Sequence, residues 1–192
     1  MTMTGVQRIT PEEFRAMPEG PPFYEYEEGE LIMAASPTPE HQDVVIELGH
    51  TLRQFVRQGQ MGRVFMEVDV YLPDGRVYIP DLAFLATARL HLLQAGDRKI
   101  HGSPDLVVEV TSSMPERDRV HKFRIYYDNG VPWYWIVDST TLAIEEYHAT
   151  SQGYLRVASV GAGEVFQPQA FPGLTIDLQA LLGVNPHAPP AG

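Results

Sequence analysis

The chain has 192 residues, of which 44% are hydrophobic and 20% are charged, and it contains no cysteine. This composition excludes a disordered chain, a disulfide scaffold and any thiolate metal site, and it favours a cytoplasmic protein. The formal net charge of −11 argues against a protein that coats polyanions, since nonspecific nucleic-acid affinity comes from neutralising phosphates.

The length is sufficient for one domain with a sizeable core. We expect this domain to cover residues 1–183 and a loose tail rich in Pro and Ala to cover residues 184–192. The sequence has no run of about 18 apolar residues, and its start lacks the pattern of a secretory signal. We therefore expect neither a membrane span nor export.

Two helices and a hairpin are predicted in the first third of the chain. Residues 10–17 carry the capping signals of a short helix. Residues 24–34 alternate and break at Gly29, which indicates a hairpin. Apolar residues recur at helical spacing over residues 37–58, and His41 lies on the same inward face of this long helix.

Strands predominate after the long helix. They are predicted over residues 63–72, 77–86, 105–111, 131–139, 141–149, 153–160 and 164–168. A helix is predicted over 115–130, and a short one closes the domain within 171–183. This order indicates an α/β protein, or α+β by a strict definition, with a mixed sheet flanked by helices and extra antiparallel strands.

Two carboxylates lie inside apolar strands. Glu109 stands in DLVVEVT on the same face as Val107 and Thr111, and Asp81 follows Pro80 at the centre of residues 77–86. A buried carboxylate needs a partner, and two that converge repel unless a proton or cation lies between them. Oxygen ligands suit Mg²⁺ or Mn²⁺, which can activate water and stabilise phosphoryl charge.

The PD dipeptide, the run DLVVEVTS and the helix-strand segment DRVHKFRIYYDNGVPWYWIVD together resemble the Uma family of restriction endonucleases, which has a PD-(D/E)XK nuclease-like fold. The resemblance extends from about Tyr24 to Leu182. It implies that Asp81 and Glu109 bind the metal. Thr111 stands where the family pattern usually has lysine, and the resemblance maps that lysine to Lys122 on the following helix.

The resemblance also implies an early acidic residue, which could be Glu25 or Glu30, and His41 matches a recurrent family position. Ordinary structural roles are open for these residues too. His41 could be a hydrogen-bonded core histidine, and Glu30 could simply belong to the hairpin.

The three central residues have structural alternatives as well. Asp81 could be a strand-end residue, and Glu109 could form a core ion pair with an arginine. Lys122 could form a surface pair with Asp118, four residues earlier.

The resemblance implies a magnesium- or manganese-dependent endonuclease that hydrolyses DNA, with Asp81, Glu109 and Lys122 as catalytic residues. A homodimer or higher homo-oligomer would suit cleavage of two strands. The displaced lysine and the acidic charge also motivate an alternative, a non-catalytic binding or assembly module that keeps a nuclease-like scaffold.

Overall fold

The structure, a computed structural model, describes residues 8–34, 36–111 and 117–183. Its α-helices are α1 (Pro11–Arg15), α2 (Pro39–Gln58), α3 (Phe123–Asp128) and α4 (Leu178–Leu181). A 3₁₀ helix covers Thr87–Leu92, and π-helical residues Arg117–Lys122 lead into α3. None of the described helices is both long and apolar enough to cross a membrane.

The strands form two mixed sheets. They are β1 (Tyr24–Glu27), β2 (Glu30–Met33), β3 (Gly62–Met66), β4 (Val70–Tyr71), β5 (Val77–Tyr78), β6 (Leu82–Ala86), β7 (Ile100–His101), β8 (Leu106–Thr111), β9 (Trp133–Asp138), β10 (Ile144–Thr150) and β11 (Gly153–Val160). The five-stranded sheet has the order β2-β1-β5-β4-β7, and the six-stranded sheet has the order β11-β10-β9-β8-β6-β3. The predicted class is confirmed, although two sheets replace the single mixed sheet that we expected.

The N-terminal predictions are confirmed. In α1, the Thr10 hydroxyl accepts a hydrogen bond from the Glu13 backbone N–H at 3.2 Å, and the Glu13 carboxylate accepts one from the Thr10 N–H at 2.7 Å. Strands β1 and β2 form the expected hairpin, and Gly29 turns it with φ of 92°.

Helix α2 packs on one face of the six-stranded sheet. Its buried side includes Val44, Val45, Leu48 and Leu52, which contact a core supplied by β6, β8 and β9. A Cβ added at Gly49 would lie 3.0 Å from the Leu82 side chain, so the helix passes close to β6.

Two of the predicted strands are each divided between the sheets. The segment 63–72 forms β3 in one sheet and β4 in the other, because Glu67 adopts a left-handed φ of 47° that ends the first strand. The segment 77–86 likewise forms β5 and then β6, with Ile79–Asp81 between them. This second change of sheet places Asp81 directly before β6.

The alternation predicted for β8 is confirmed, since its two faces belong to different cores. Val108 and Val110 pack on the α2 side, whereas Val107 contacts the opposite core together with Ile125 and Tyr126 of α3.

The C-terminal half follows the sequence pattern through β11. The strand predicted over 164–168 is wrong, since only an isolated bridge joins Phe166 to Ile176. The side chains of Arg117–Arg119, and with them the Asp118 alternative, lie outside the described residues, as do Pro115 and the predicted tail.

Candidate active site

Asp81 lies where the β6–β8 ladder ends. Leu82 pairs with Val108, so the same register places Asp81 opposite Glu109. The Asp81 carboxylate accepts a hydrogen bond from the Val110 backbone N–H at 2.6 Å. This side-chain bond takes the place of a further backbone bond between β6 and β8. The carboxylate therefore lies against the peptide bond that joins Glu109 to Val110.

His41 holds the other oxygen of this carboxylate. Its Nε2 lies 3.1 Å from Asp81 Oδ1, and its side chain is only 7% exposed. The first turn of α2 positions the residue, because the Thr38 hydroxyl caps the His41 backbone N–H. Burial alone would lower the pKa of His41, but the hydrogen bond and charge of Asp81, helped by Glu67, raise it overall. His41 therefore acts as the donor toward Asp81.

Glu109 belongs to a buried cluster of charges. The Lys122 ammonium lies 3.0 Å from Glu109 Oε1 and 3.0 Å from Glu25 Oε1, and all three side chains are nearly inaccessible to solvent. The Ile79 backbone N–H also donates to Glu25 Oε1, at 3.3 Å. We call Glu25, Glu109 and Lys122 the charged cluster.

Tyr126 completes the surroundings of Glu109. Its hydroxyl donates to Glu109 Oε1 at 2.8 Å. Burial raises the pKa of Tyr126 well above its usual range, and the negative charges of Glu109 and Glu25 add to the increase. The phenol thus remains a donor at any physiological pH. Tyr126 is not among the candidates predicted from the sequence, although its position four residues after Lys122 places both on one helix face.

The π-helical turn before α3 brings Lys122 to Glu109. Wider π turns re-aim side chains and occur often at functional sites. Thr111 stands two residues after Glu109, where the family pattern usually has lysine. Its hydroxyl donates a hydrogen bond to the Val137 carbonyl at 3.2 Å.

The structure separates the two early acidic candidates. Glu25 is buried and belongs to the charged cluster, whereas Glu30 is exposed and pairs with Arg8 at 3.7 Å. The Glu109 carboxylate contacts the Lys122 ammonium, and the Lys122 side chain is buried.

The donor set fits a hard cation that keeps much of its water. No three His, Asp or Glu side chains among the described residues form a ready-made metal cage. Mg²⁺ commonly uses one or two carboxylates together with water and substrate phosphate. Asp81 and Glu109 are two carboxylates on paired strands, and hydrogen bonds from Val110 and Tyr126 orient them.

Comparisons with known proteins agree with this fold. A family model named Uma2 and described as "Putative restriction endonuclease" matches residues 11–179. The crystal structure of "a putative nuclease belonging to DUF820" from Anabaena variabilis is similar, with a TM-score of 0.71 and 21% sequence identity. The likeness covers 91% of this chain and 98% of that one, and at this identity it shows the fold alone. No curated protein matches the chain.

Proposed function

Because the chain belongs to the Uma2 family, described as "Putative restriction endonuclease", we propose that it is a metal-dependent nuclease that hydrolyses phosphodiester bonds of DNA. The observation that carries this proposal is the buried contact of Lys122 with Glu109, on the strand against which the Asp81 carboxylate lies. Buried ion pairs contribute little net stability compared with apolar residues of similar volume, so their presence points to a use beyond packing.

Asp81 and Glu109 would hold Mg²⁺ or Mn²⁺, whose charge stabilises the negative charge that develops on the phosphoryl oxygens during hydrolysis. Lys122 would supply a further positive charge to the same oxygens or orient the attacking water. Its ammonium is already desolvated and fixed between two carboxylates, so little reorganisation is needed when the reaction occurs.

The neighbouring residues would position these groups. His41 and the Val110 backbone N–H orient the two oxygens of Asp81, and Tyr126 orients Glu109. Glu25 places a second negative charge beside Lys122, which favours the charged ammonium over the neutral amine. Glu25 and Tyr126 would thus be positioning residues.

The structure weakens one motive for the non-catalytic alternative. That alternative depended partly on Thr111 standing at the usual lysine position. Lys122 supplies an ammonium 3.0 Å from Glu109 from a different backbone position, and chemistry at the phosphate depends on where the ammonium lies, not on its origin in the chain.

Two carboxylates of equal burial provide the test. Glu146 is also fully buried, but its oxygens accept hydrogen bonds from the Trp135 indole and from the backbone N–H groups of Gln169 and Ala170. It has the environment of a structural carboxylate. Glu109→Gln and Glu146→Gln therefore compare a site carboxylate with a structural one.

Nicking of supercoiled plasmid and cleavage of linear duplex and single strands should be measured with Mg²⁺, Mn²⁺ and EDTA. We expect metal-dependent cleavage by the wild type and by folded Glu146→Gln, and a loss of at least about 100-fold in Glu109→Gln. Equal cleavage by Glu109→Gln and the wild type would disprove the assignment. No cleavage by the wild type of any substrate would favour the non-catalytic module.

We also propose a homo-oligomer, since two-fold symmetry would present two sites to a duplex. Strand β11 is the edge of the six-stranded sheet and could supply the contact. Sedimentation equilibrium of the full chain would show a monomer if this proposal is wrong.

A further inference from the structure

A groove of about 410 Å³ is lined by residues that adjoin the charged cluster in the chain or through a backbone hydrogen bond. Tyr24 and Ile79 line the groove, and both lead into the cluster, since Tyr24 precedes Glu25 and the Ile79 N–H donates to Glu25. Glu67 lines it as well, and its backbone N–H donates to the Asp81 carbonyl at 3.2 Å. Lining residues of the groove thus lie one residue, or one backbone hydrogen bond, away from Glu25 and Asp81.

Four aromatic side chains line this groove. They are Phe14, Phe23, Tyr24 and Tyr71. Phe23 is 55% exposed, although exposing a large apolar side chain to water normally costs free energy. Aromatic rings that remain open to solvent beside a nucleic-acid site are stacking platforms for unpaired bases.

The charges in the groove do not favour a phosphate. Three cationic side chains line it, and four carboxylates face them. Lys99, one of the cations, is bound to Asp69 at 2.7 Å and to Glu19 at 3.5 Å. Since the cations are balanced by carboxylates, the groove has no excess positive charge with which to attract a phosphate.

The same charges suit the edge of a nucleobase. Carboxylates accept hydrogen bonds from exocyclic amino groups, as Asp and Glu do from cytosine. Glu67 and Asp97 line the groove; Glu67 Oε1 accepts a hydrogen bond from Gln42, and Asp97 contacts His101 and accepts one from the Lys99 N–H. A ligand with a flat π face and an amino edge, such as cytosine, therefore matches the lining better than a phosphate or an aliphatic chain does.

We propose that this groove receives an unstacked nucleobase of the strand whose phosphate lies at Asp81 and Glu109. This inference rests on the proposed nuclease function and specifies its substrate, which is DNA that is single-stranded or locally opened at the cleavage site. Unstacking a base from a duplex costs several kcal/mol, and a base that is already unpaired avoids this cost.

The test uses two probes with the same number of phosphates in EDTA, so that no hydrolysis occurs. One probe is a labelled oligodeoxycytidine strand, and the other is a labelled strand whose sugars carry no bases. Fluorescence anisotropy at physiological salt should show the base-bearing strand bound at least about tenfold more tightly by the wild type. Equal affinity for the two probes, or binding of neither, would overturn the proposal.

Two variants locate the binding. Phe23→Ala removes the exposed ring and should abolish most of the preference for the base-bearing strand. Val165→Ala removes a similarly exposed apolar side chain that does not line the groove and should leave the preference unchanged. Both positions are exposed, so folding should survive, which circular dichroism can check. Unchanged affinity in Phe23→Ala would contradict the assignment.

A second measurement does not depend on folding of a variant. A strand carrying one 2-aminopurine should change its fluorescence when the wild type binds it, because this base then leaves the quenching stack of neighbouring bases for an aromatic ring. Its fluorescence would stay constant if only the backbone were bound. These binding results are separate from hydrolysis. Cleavage without base preference would disprove the groove alone, and base preference without cleavage would disprove the nuclease alone.

Discussion

The two ends of the β6–β8 pair are built alike, but among the residues that the structure describes only the Asp81 end adjoins a cluster of buried charges. At one end, Asp81 accepts a hydrogen bond from Val110 N–H and contacts His41. At the other end, Asp105 accepts one from Ala86 N–H at 2.8 Å and contacts Arg89 at 3.0 Å. An aspartate that closes a ladder is thus a structural device by itself. What distinguishes the first end is the charged cluster beside it.

The two ends should differ most in the stability that is lost when the cation at each end is replaced. Lys122→Met leaves Glu25 and Glu109 facing each other in a buried site, and we expect the free energy of unfolding to fall by about 3–5 kcal/mol. Arg89→Met removes a cation that is 35% exposed, and it should cost about 1 kcal/mol. Urea denaturation measures both. Equal losses of stability would mean that the buried Lys122 contributes no more than the partly exposed Arg89.

The two aspartates should then differ in catalysis. Asp81→Asn should reduce DNA cleavage by at least about 100-fold, because it weakens the cation site. Asp105→Asn removes the same charge from the matching position 24 residues later in the sequence and should change cleavage by less than about twofold. Steady-state rates with Mn²⁺ on one DNA substrate would compare them. A similar loss of cleavage in both variants would show that Asp81 supports the structure and has no separate role in catalysis.

A smaller effect is expected when a single hydroxyl is removed near Glu109. Tyr126→Phe removes the donor to Glu109, and Tyr154→Phe removes a comparable donor, whose hydroxyl contacts the Val131 carbonyl at 2.7 Å. Each should lower the free energy of unfolding by about 1 kcal/mol. Only Tyr126→Phe should also lower the cleavage rate, by several-fold, since only this donor orients a site carboxylate. A rate loss shared by both variants would remove the positioning role of Tyr126.

The smallest effect should be a pH dependence that only one end shows. The pKa of His41 is raised from its ordinary value of 6.5 in the folded protein, so charged His41 stabilises the fold fully below pH 6.5. This contribution is lost as the pH rises through the folded pKa. Arginine side chains in general keep their charge throughout this range.

In EDTA, the stability lost in His41→Gln should therefore be greater at pH 6 than at pH 9, whereas the loss in Arg89→Gln should be the same at both. Urea denaturation at the two pH values supplies the numbers. A loss in His41→Gln that does not change with pH would mean that His41 holds Asp81 as a neutral imidazole.

Much of the fold could be predicted because local signals and packing agree. The capping box at Thr10 and the apolar spacing along α2 both specify helices that the structure contains. The divided strands could not be predicted, since the left-handed φ of Glu67 is set by tertiary contacts at a residue that has no special preference for it.

The candidate site shows the same limits. Sequence reasoning could propose Asp81 and Glu109 as candidates because a carboxylate among apolar strand residues needs an explanation. It could not choose between Glu25 and Glu30, since β1 is covered on both faces and Tyr26 beside Glu25 is buried as well. The alternation of apolar and polar residues cannot show which side chains are buried in a strand that is covered on both faces.

The most direct test of the account is whether the Asp81 end of the β6–β8 pair binds a divalent cation. Mn²⁺ titrations followed by electron paramagnetic resonance should compare the wild type with Asp81→Asn, Glu109→Gln and Asp105→Asn. We expect Mn²⁺ to bind to the wild type and to Asp105→Asn, and much more weakly to the other two. If all four proteins bind Mn²⁺ equally, or if none binds it with or without DNA, Asp81 and Glu109 do not form a metal site.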